Sequence, residues 1–494
     1  MPPQPGLLGN DGARLIFTFR IECPPAAGES PPRMLPRLLL LAVTAACSIA
    51  TAADFPPLPG LKVHENHRYL ATAEGKPFFY LGDTAWELFH RLNKEEATTY
   101  FADRAKKGFT VIESVALAEF NGLTEPNRFG HLPLTANDPI KPNEDYFADV
   151  DWFVAEAARH GLYTGFLPTW GDKVNKKWGQ GPEIFTPENA RSYGEWLGRR
   201  YKGAPVIWIL GGDRPTESPR HTEIYRALAE GLRAGDGGSH LITYHPMGGH
   251  SSRDYVNAES WLDFHQIQSG HGTRDSHSYD MLAKDLAAEP PRPVMDGEPN
   301  YEDHPVRGDK THTLWFDEWD VRKLAYWGLF AGAHGHTYGC HPIWQFWDGK
   351  TKPCADPRHS WMEDAQLPGA SQVGYLRRLL ESRPFFTRIP DQSLLIGGAR
   401  EGAEHLQATR ATDGSFAMIY SASGTPFTVD LSKLTGQKLH AWWFDPRTGE
   451  AKSAGESAND AKPREFTPPT HGDHQDWALV LDDAAKAWPA PGTK

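Results

Sequence analysis

Cysteine is scarce: the 494 residues hold four, and no two form a C-x-x-C pair. Cys340 and Cys354, the two beyond the N-terminal segment, cannot build a zinc site alone, although an oxidising compartment would allow one disulfide. A basic excess is missing too. Lys and Arg number 51 against 63 Asp and Glu, a net charge of -12, which argues against nucleic acid because its binders carry a basic face. No apolar run reaches the roughly 20 residues needed to cross a bilayer. There is no Gly-rich phosphate loop after the first strand pattern, no G-x-S-x-G elbow and no H-E-x-x-H pair. Internal repeats and low-complexity tracts are absent as well.

What remains is a chain rich in aromatic and aliphatic residues. At 39% hydrophobic and 12% aromatic it can bury a large core, which excludes disorder over most of its length. It is also too long for one small domain. The 17 Trp and 22 His suit a polar pocket with aromatic walls, since an indole face stacks on the apolar face of a sugar ring.

The N-terminal segment reads as an address. From Met34 the sequence runs MLPRLLLLAVTAACSIATAAD: Arg37, an apolar run from Leu38 to Ala46, then small residues at Ala50 and Ala52. This is the pattern of a secretory signal peptide over about 34–52. Residues 1–53 are therefore expected to be an upstream extension and signal peptide, with Met34 as the true start. Cys47 follows Thr44-Ala45-Ala46, which only loosely matches a lipoprotein box. The mature chain is expected in the periplasm or outside the cell, with no membrane insertion after cleavage.

Between Leu61 and Ser382, short apolar runs alternate with helical patterns. The runs are 78–81, 110–117, 163–167, 206–210, 241–244, 264–267, 293–295 and 336–339. Helical periodicity follows them, as at 93–106, 149–160, 187–201, 221–234, 278–287, 314–330 and 373–380. Eight strand–helix units predict a (β/α)8 TIM barrel over 54–383. An open doubly wound sheet is the alternative, and it lacks its phosphate loop. After Arg383-Pro384 only short strands and turn signals remain, which predicts a small all-β sandwich over 384–483 and a tail over 484–494.

In such a barrel the working groups stand at the C-terminal ends of the strands. Those ends carry Asp83 and Trp86, Trp170, Asp213 and Arg214, His245, Gln268, Glu298 and Tyr301, and Tyr338 and Trp344. Carboxylates, amides and aromatics in that mixture suit a polyhydroxylated ligand. Asp213 and Glu298 end strands four and seven, across the barrel mouth from each other. Glycosidic cleavage needs one carboxyl to protonate the leaving oxygen and a second, ionised one to attack carbon or activate water. A separation of about 5–5.5 Å would retain configuration and about 6.5–9.5 Å would invert it. The competing reading of each acid is a structural ion pair, Asp213 with Arg214 for example. Asp83 either binds a hydroxyl or anchors its loop, and Trp170 and Trp344 are either stacking platforms or wall. His245 and Gln268 either bind hydroxyls or orient Glu298. His334, His336 and His341 cluster in sequence, but no acid stands beside them in a known ligand spacing. Neither a metal nor a cofactor is expected.

LGDTAW (81–86), WILGGD (208–213), DGEPNYE (296–302) and WFDPRTGE (443–450) together resemble the DUF4038 family. That family joins a barrel to a C-terminal domain labelled collagen-binding, and includes the apiosidases of glycoside hydrolase family 140. The resemblance covers nearly all of 57–483. It implies general acid/base and nucleophile roles for Asp213 and Glu298, in an order that could be reversed. Retaining barrel hydrolases usually carry Asn-Glu at strand four, where this chain has Gly212-Asp213. The resulting expectation is a secreted bacterial, exo-acting and retaining glycosidase that removes a terminal sugar, apiose first, from a plant cell-wall oligo- or polysaccharide. The rival is a non-catalytic carbohydrate-binding or matrix-adhesion protein, which would have no need of two opposed carboxylates. The sandwich is expected to brace the barrel.

Overall fold

The computed structural model describes residues 55–311 and 313–493. The extension, the signal-peptide segment and Cys47 lie outside the described residues. Eight parallel strands form the centre: β1 (Tyr80–Thr84), β2 (Val111–Val115), β3 (Tyr163–Leu167), β4 (Val206–Gly211), β5 (Ile242–His245), β6 (His265–Gln268), β7 (Val294–Asp296) and β8 (Gly335–Tyr338). They pair in the order β5-β4-β3-β2-β1-β8-β7-β6. Between β5 and β6 the ring is closed by the Asp263 N–H donating to the Ile242 carbonyl (2.9 Å) and the Thr243 hydroxyl donating to the Phe264 carbonyl (2.7 Å). The TIM barrel is therefore present.

The helices start where the sequence supplies caps. Asn93 and Thr186 each cap a first turn with a reciprocal side-chain bond, and Pro187 stands at the first helical position of Pro187–Tyr201. A three-stranded antiparallel sheet (Leu61–Val63, Leu70–Thr72, Pro77–Phe78), not foreseen from the sequence, plugs the N-terminal end of the barrel with Leu70 and Phe78. The barrel interior is packed, not a pore. Val111, Tyr163, Ile207, Phe264 and Met295 form its lower layer. Above them the fully buried Glu113 accepts from the Tyr80 hydroxyl (2.7 Å) and the Thr337 hydroxyl (3.0 Å). Gly82 and Gly165 make room for that carboxyl, because a Cβ at either would press on the Glu113 side chain.

The C-terminal region is a sandwich. One antiparallel sheet has the order Arg388–Pro390, Leu406–Ala411, Phe416–Ser421, Trp477–Asp483, Lys438–Asp445, Glu450–Ala458. The other comprises Leu395–Ile396, Phe427–Asp430 and Pro463–Phe466. Strand alternation splits the larger sheet between two cores. Ala417, Ile419, Leu479 and Leu481 face the smaller sheet, whereas Met418, Tyr420 and Val480 join the barrel's core. The helix Glu318–Phe330 lies between the two domains and is buried on almost every side. Arg322 pairs with Asp476 through two bonds (2.8 and 2.7 Å), the Trp319 indole donates to the Ala422 carbonyl (3.0 Å), and Tyr326 stacks on Tyr420 at 4.4 Å. Trp443 is buried inside the sandwich, while Trp442 stacks on His440. Among the described residues no helix is long and apolar enough to cross a membrane. Cys340 and Cys354 are both free thiols.

Candidate functional site

Strand β4 ends in Gly211 and is followed by Gly212, both at positive φ (88° and 113°). A Cβ on Gly211 would lie 2.3 Å from the His245 carbonyl oxygen, and one on Gly212 would lie 2.6 Å from the Gly171 nitrogen. Only glycine lets the chain turn this closely between its neighbours. The turn presents Asp213, itself in the left-handed region at φ 54°. Such strain in a residue other than glycine costs of order 1–3 kcal/mol and concentrates at working sites.

Arg214 holds Asp213 from behind. Its fully buried guanidinium donates to Asp213 Oδ2 (2.9 Å) and to Glu119 Oε1 (2.8 Å). This answers two expectations at once. The Asp213–Arg214 pair exists, but Asp213 keeps 28% of its side chain in solvent, and Arg214 is spent on two carboxylates rather than offered to a ligand. Burial pushes the Glu119 carboxyl up to about 7, with Arg214 opposing and the Asp213 charge adding to the rise. Trp178, 60% exposed, covers the Arg214 guanidinium at 4.7 Å. This exposed indole over Arg214 escaped the sequence reading because its loop shows no periodicity.

Glu298 follows β7 and is 7% exposed. His245 Nε2 reaches its Oε2 at 3.0 Å, and His271 Nε2 reaches its Oε1 at 2.9 Å. A carboxylate only accepts, so both Nε2 atoms carry the proton. Burial would raise the Glu298 carboxyl, but these two donors and their charge outweigh it and hold the group well below the usual carboxylate range. Burial would likewise lower the His245 imidazole, and Glu298 raises it above its ordinary value instead. Asp213 moves the opposite way from Glu298. Burial raises it first and the Glu298 charge second, against the pull of Arg214, His245 and Arg307. The two acids therefore share one electrostatic site, the first biased toward its protonated form and the second toward its ionised form.

The walls come from residues of several strands. Trp86 and Trp170 flank His245 with ring centroids 5.3 and 5.8 Å away, and both are nearly buried. Trp344, only half-buried, leans on this cluster and on Phe120 at 5.5 Å. The Tyr301 hydroxyl, Gln268 Oε1 and Trp170 Nε1 are buried with no protein partner. Such atoms are costly unless water or a ligand satisfies them. At the same end of the barrel, a cavity of about 590 Å³ opens between the loops after β1, β2 and β8, lined by Arg91, Phe120, Glu125, Lys352 and Cys354 among others.

Two expected ligand contacts are corrected. Asp83 is fully buried on the outer side of β1, where it accepts from the Tyr100 hydroxyl and from Arg104 Nε (2.6 Å). Tyr338 donates to Glu302 Oε2 (2.5 Å), also outside the barrel wall. The cause is the period of two along a strand. Tyr80 and Gly82 face the barrel interior, so Asp83 faces the helices, and Tyr338 pairs in register with it. The histidines are also redistributed. His334 packs on Tyr80 and Phe264 in the barrel, while His341 sits at the rim and accepts from the Trp344 indole (3.2 Å). His271 and His304, stacked at 4.3 Å, were not singled out from sequence. The only available signal was glycine on both sides of His271 in the loop after β6.

Comparison with protein families matches residues 64–387 to the apiosidase-like catalytic domain and residues 389–482 to the family described as a collagen-binding domain of a collagenase. Comparison with curated proteins gives no match. Among solved structures, a glycoside hydrolase family 5 protein from Bacteroides vulgatus is 32% identical with a TM-score of 0.80, covering 87% of this chain and 95% of that one. A second structure, described as a glycoside hydrolase, is 32% identical with a TM-score of 0.79 and coverage of 86% and 97%. A third, also from Bacteroides vulgatus, is 13% identical with a TM-score of 0.63 and bears on the fold alone.

Proposed function

The chain belongs to the apiosidase-like catalytic domain family, and from that premise we propose that it is an exported, exo-acting, retaining glycosidase whose working pair is Asp213 and Glu298. Its barrel is of the glycoside hydrolase type. The observation that carries the reading is two carboxyls at the same end of the barrel, Asp213 turned out past β4 by a left-handed backbone and Glu298 past β7 held by two imidazole donors, in surroundings that raise the first and lower the second.

Asp213 gives its proton to the glycosidic oxygen as the bond to the anomeric carbon breaks. The Glu298 carboxylate forms a new bond to that carbon, leaving a glycosyl ester and the shortened alcohol. Asp213, now ionised, takes a proton from water, whose oxygen displaces Glu298 and releases the sugar with its configuration kept. Two imidazole donors fix both oxygens of Glu298 and keep it ionised, as a nucleophile requires. Apiose from a plant cell-wall polysaccharide is the proposed sugar, resting on the family description. The neighbouring cavity offers space for the rest of the polymer.

The adhesion alternative finds less support. One face of the larger sheet is spent on the barrel, and among the described residues Ile396 is the domain's only exposed large hydrophobic side chain. The test is release of monosaccharide from pectin, arabinan and xylan. Asp213→Asn should lower the rate by about a hundred- to ten-thousand-fold, and Glu298→Gln should leave no turnover, each with an unchanged circular dichroism spectrum. A rate near that of the native chain in either variant rejects the pair. NMR of the first-formed anomer tests retention.

A further inference from the structure

Asp303, His359 and Asp364 converge at the outer edge of the site, between the loops after β7 and β8, and each offers one ligand atom within 4.8 Å of the others. Both aspartates are 2% exposed. The catalytic scheme uses none of the three. His359 Nδ1 lies 3.0 Å from Asp364 Oδ1 and 3.8 Å from Asp303 Oδ2. Arg358 takes the other oxygen of Asp303, while Asp303 Oδ2 is buried without a hydrogen-bond partner and faces the imidazole. Asp364 Oδ2 is likewise buried and unpartnered.

Two buried carboxylates with idle oxygens repel each other unless a proton or a cation lies between them. A zinc ion with bonds of about 2.0–2.1 Å has tetrahedral ligand atoms about 3.3 Å apart, a spacing that the two His359 distances bracket. One imidazole nitrogen with two carboxylate oxygens suits zinc better than calcium, which takes six to eight oxygens. We propose that Asp303, His359 and Asp364 form a zinc-class divalent cation site, with water on its exposed side, that staples the loop after β8 to the loop after β7. The stapled loop matters to the cleft. Cys354 of that loop lines the cavity, and its Ala355 carbonyl accepts from His341 Nε2 (2.9 Å).

The test uses tag-free protein stripped with EDTA and dialysed, because the chain's 22 histidines and any tag could bind zinc weakly elsewhere. Calorimetric titration with zinc chloride should give one site per chain at micromolar affinity or tighter. Calcium chloride should give no comparable binding. His359→Ala removes a half-exposed side chain and should weaken that site at least tenfold, and Asp364→Asn should do the same. Zinc should raise Tm in the native chain and not in His359→Ala. No stoichiometric site, a site indifferent to His359→Ala, or a preference for calcium would each overturn the proposal.

Discussion

The hydrogen bond from His271 to Glu298 sets a measurable quantity, the pH at which the nucleophile loses its charge. His271→Ala removes one of the two N–H donors on that carboxylate. A hydrogen bond to a charged group contributes about 1.5–3 kcal/mol. At 1.36 kcal/mol per unit, its loss should raise the Glu298 pKa by about 1–2 units. The sign follows from which form is stabilised. His271 donates to the ionised carboxylate, so without it protons bind at higher pH. The acidic limb of kcat/KM should therefore move up by about one to two pH units. The alkaline limb belongs to Asp213, which is raised by burial and by the Glu298 charge. Glu298 stays ionised near neutrality even in the variant, so that limb should hold its place. The assay is kcat/KM against pH on released monosaccharide, with circular dichroism to confirm the fold. An acidic limb that stays put in a folded variant would refute the claim that His271 positions Glu298.

Trp178→Ala removes the exposed indole over Arg214, the partner of Asp213, and should raise KM about two- to tenfold with kcat little changed, the mark of a stacking contact made equally in ground and transition states. An unchanged KM would remove Trp178 from the binding surface. Arg322→Met leaves the buried Asp476 unpaired at the junction of barrel and sandwich, and should cost about 3–5 kcal/mol in urea unfolding. Stability equal to that of the native chain would mean the sandwich does not brace the barrel through this pair.

The barrel was legible because each strand is a short apolar run bounded by turn residues, and each helix shows its own period. The floor sheet was not, since its strands are only two or three residues long. Nor was Glu450–Ala458, a solvent-facing edge strand of EAKSAGESA that holds its shape only by pairing with Lys438–Asp445. At the site, Asp213 and Glu298 could be named because a residue just past a parallel strand must emerge at one end of the barrel, whatever surrounds it. Asp83 and Tyr338 could not be placed, because a side chain within a strand faces inward or outward according to a phase of one residue.

By itself, then, the amino-acid order determined which segments become strands, which end of the ring carries the polar residues, and which two acids stand there. Tertiary structure alone decided that His245 at the end of β5 and His271 in the loop after β6 converge on Glu298, that Arg214 stands behind Asp213, and that one face of the sandwich is absorbed by the barrel. The reason is physical. Local order acts through backbone geometry over a few residues, whereas the charge state of a buried carboxyl depends on every donor and charge that packing brings within a few ångströms.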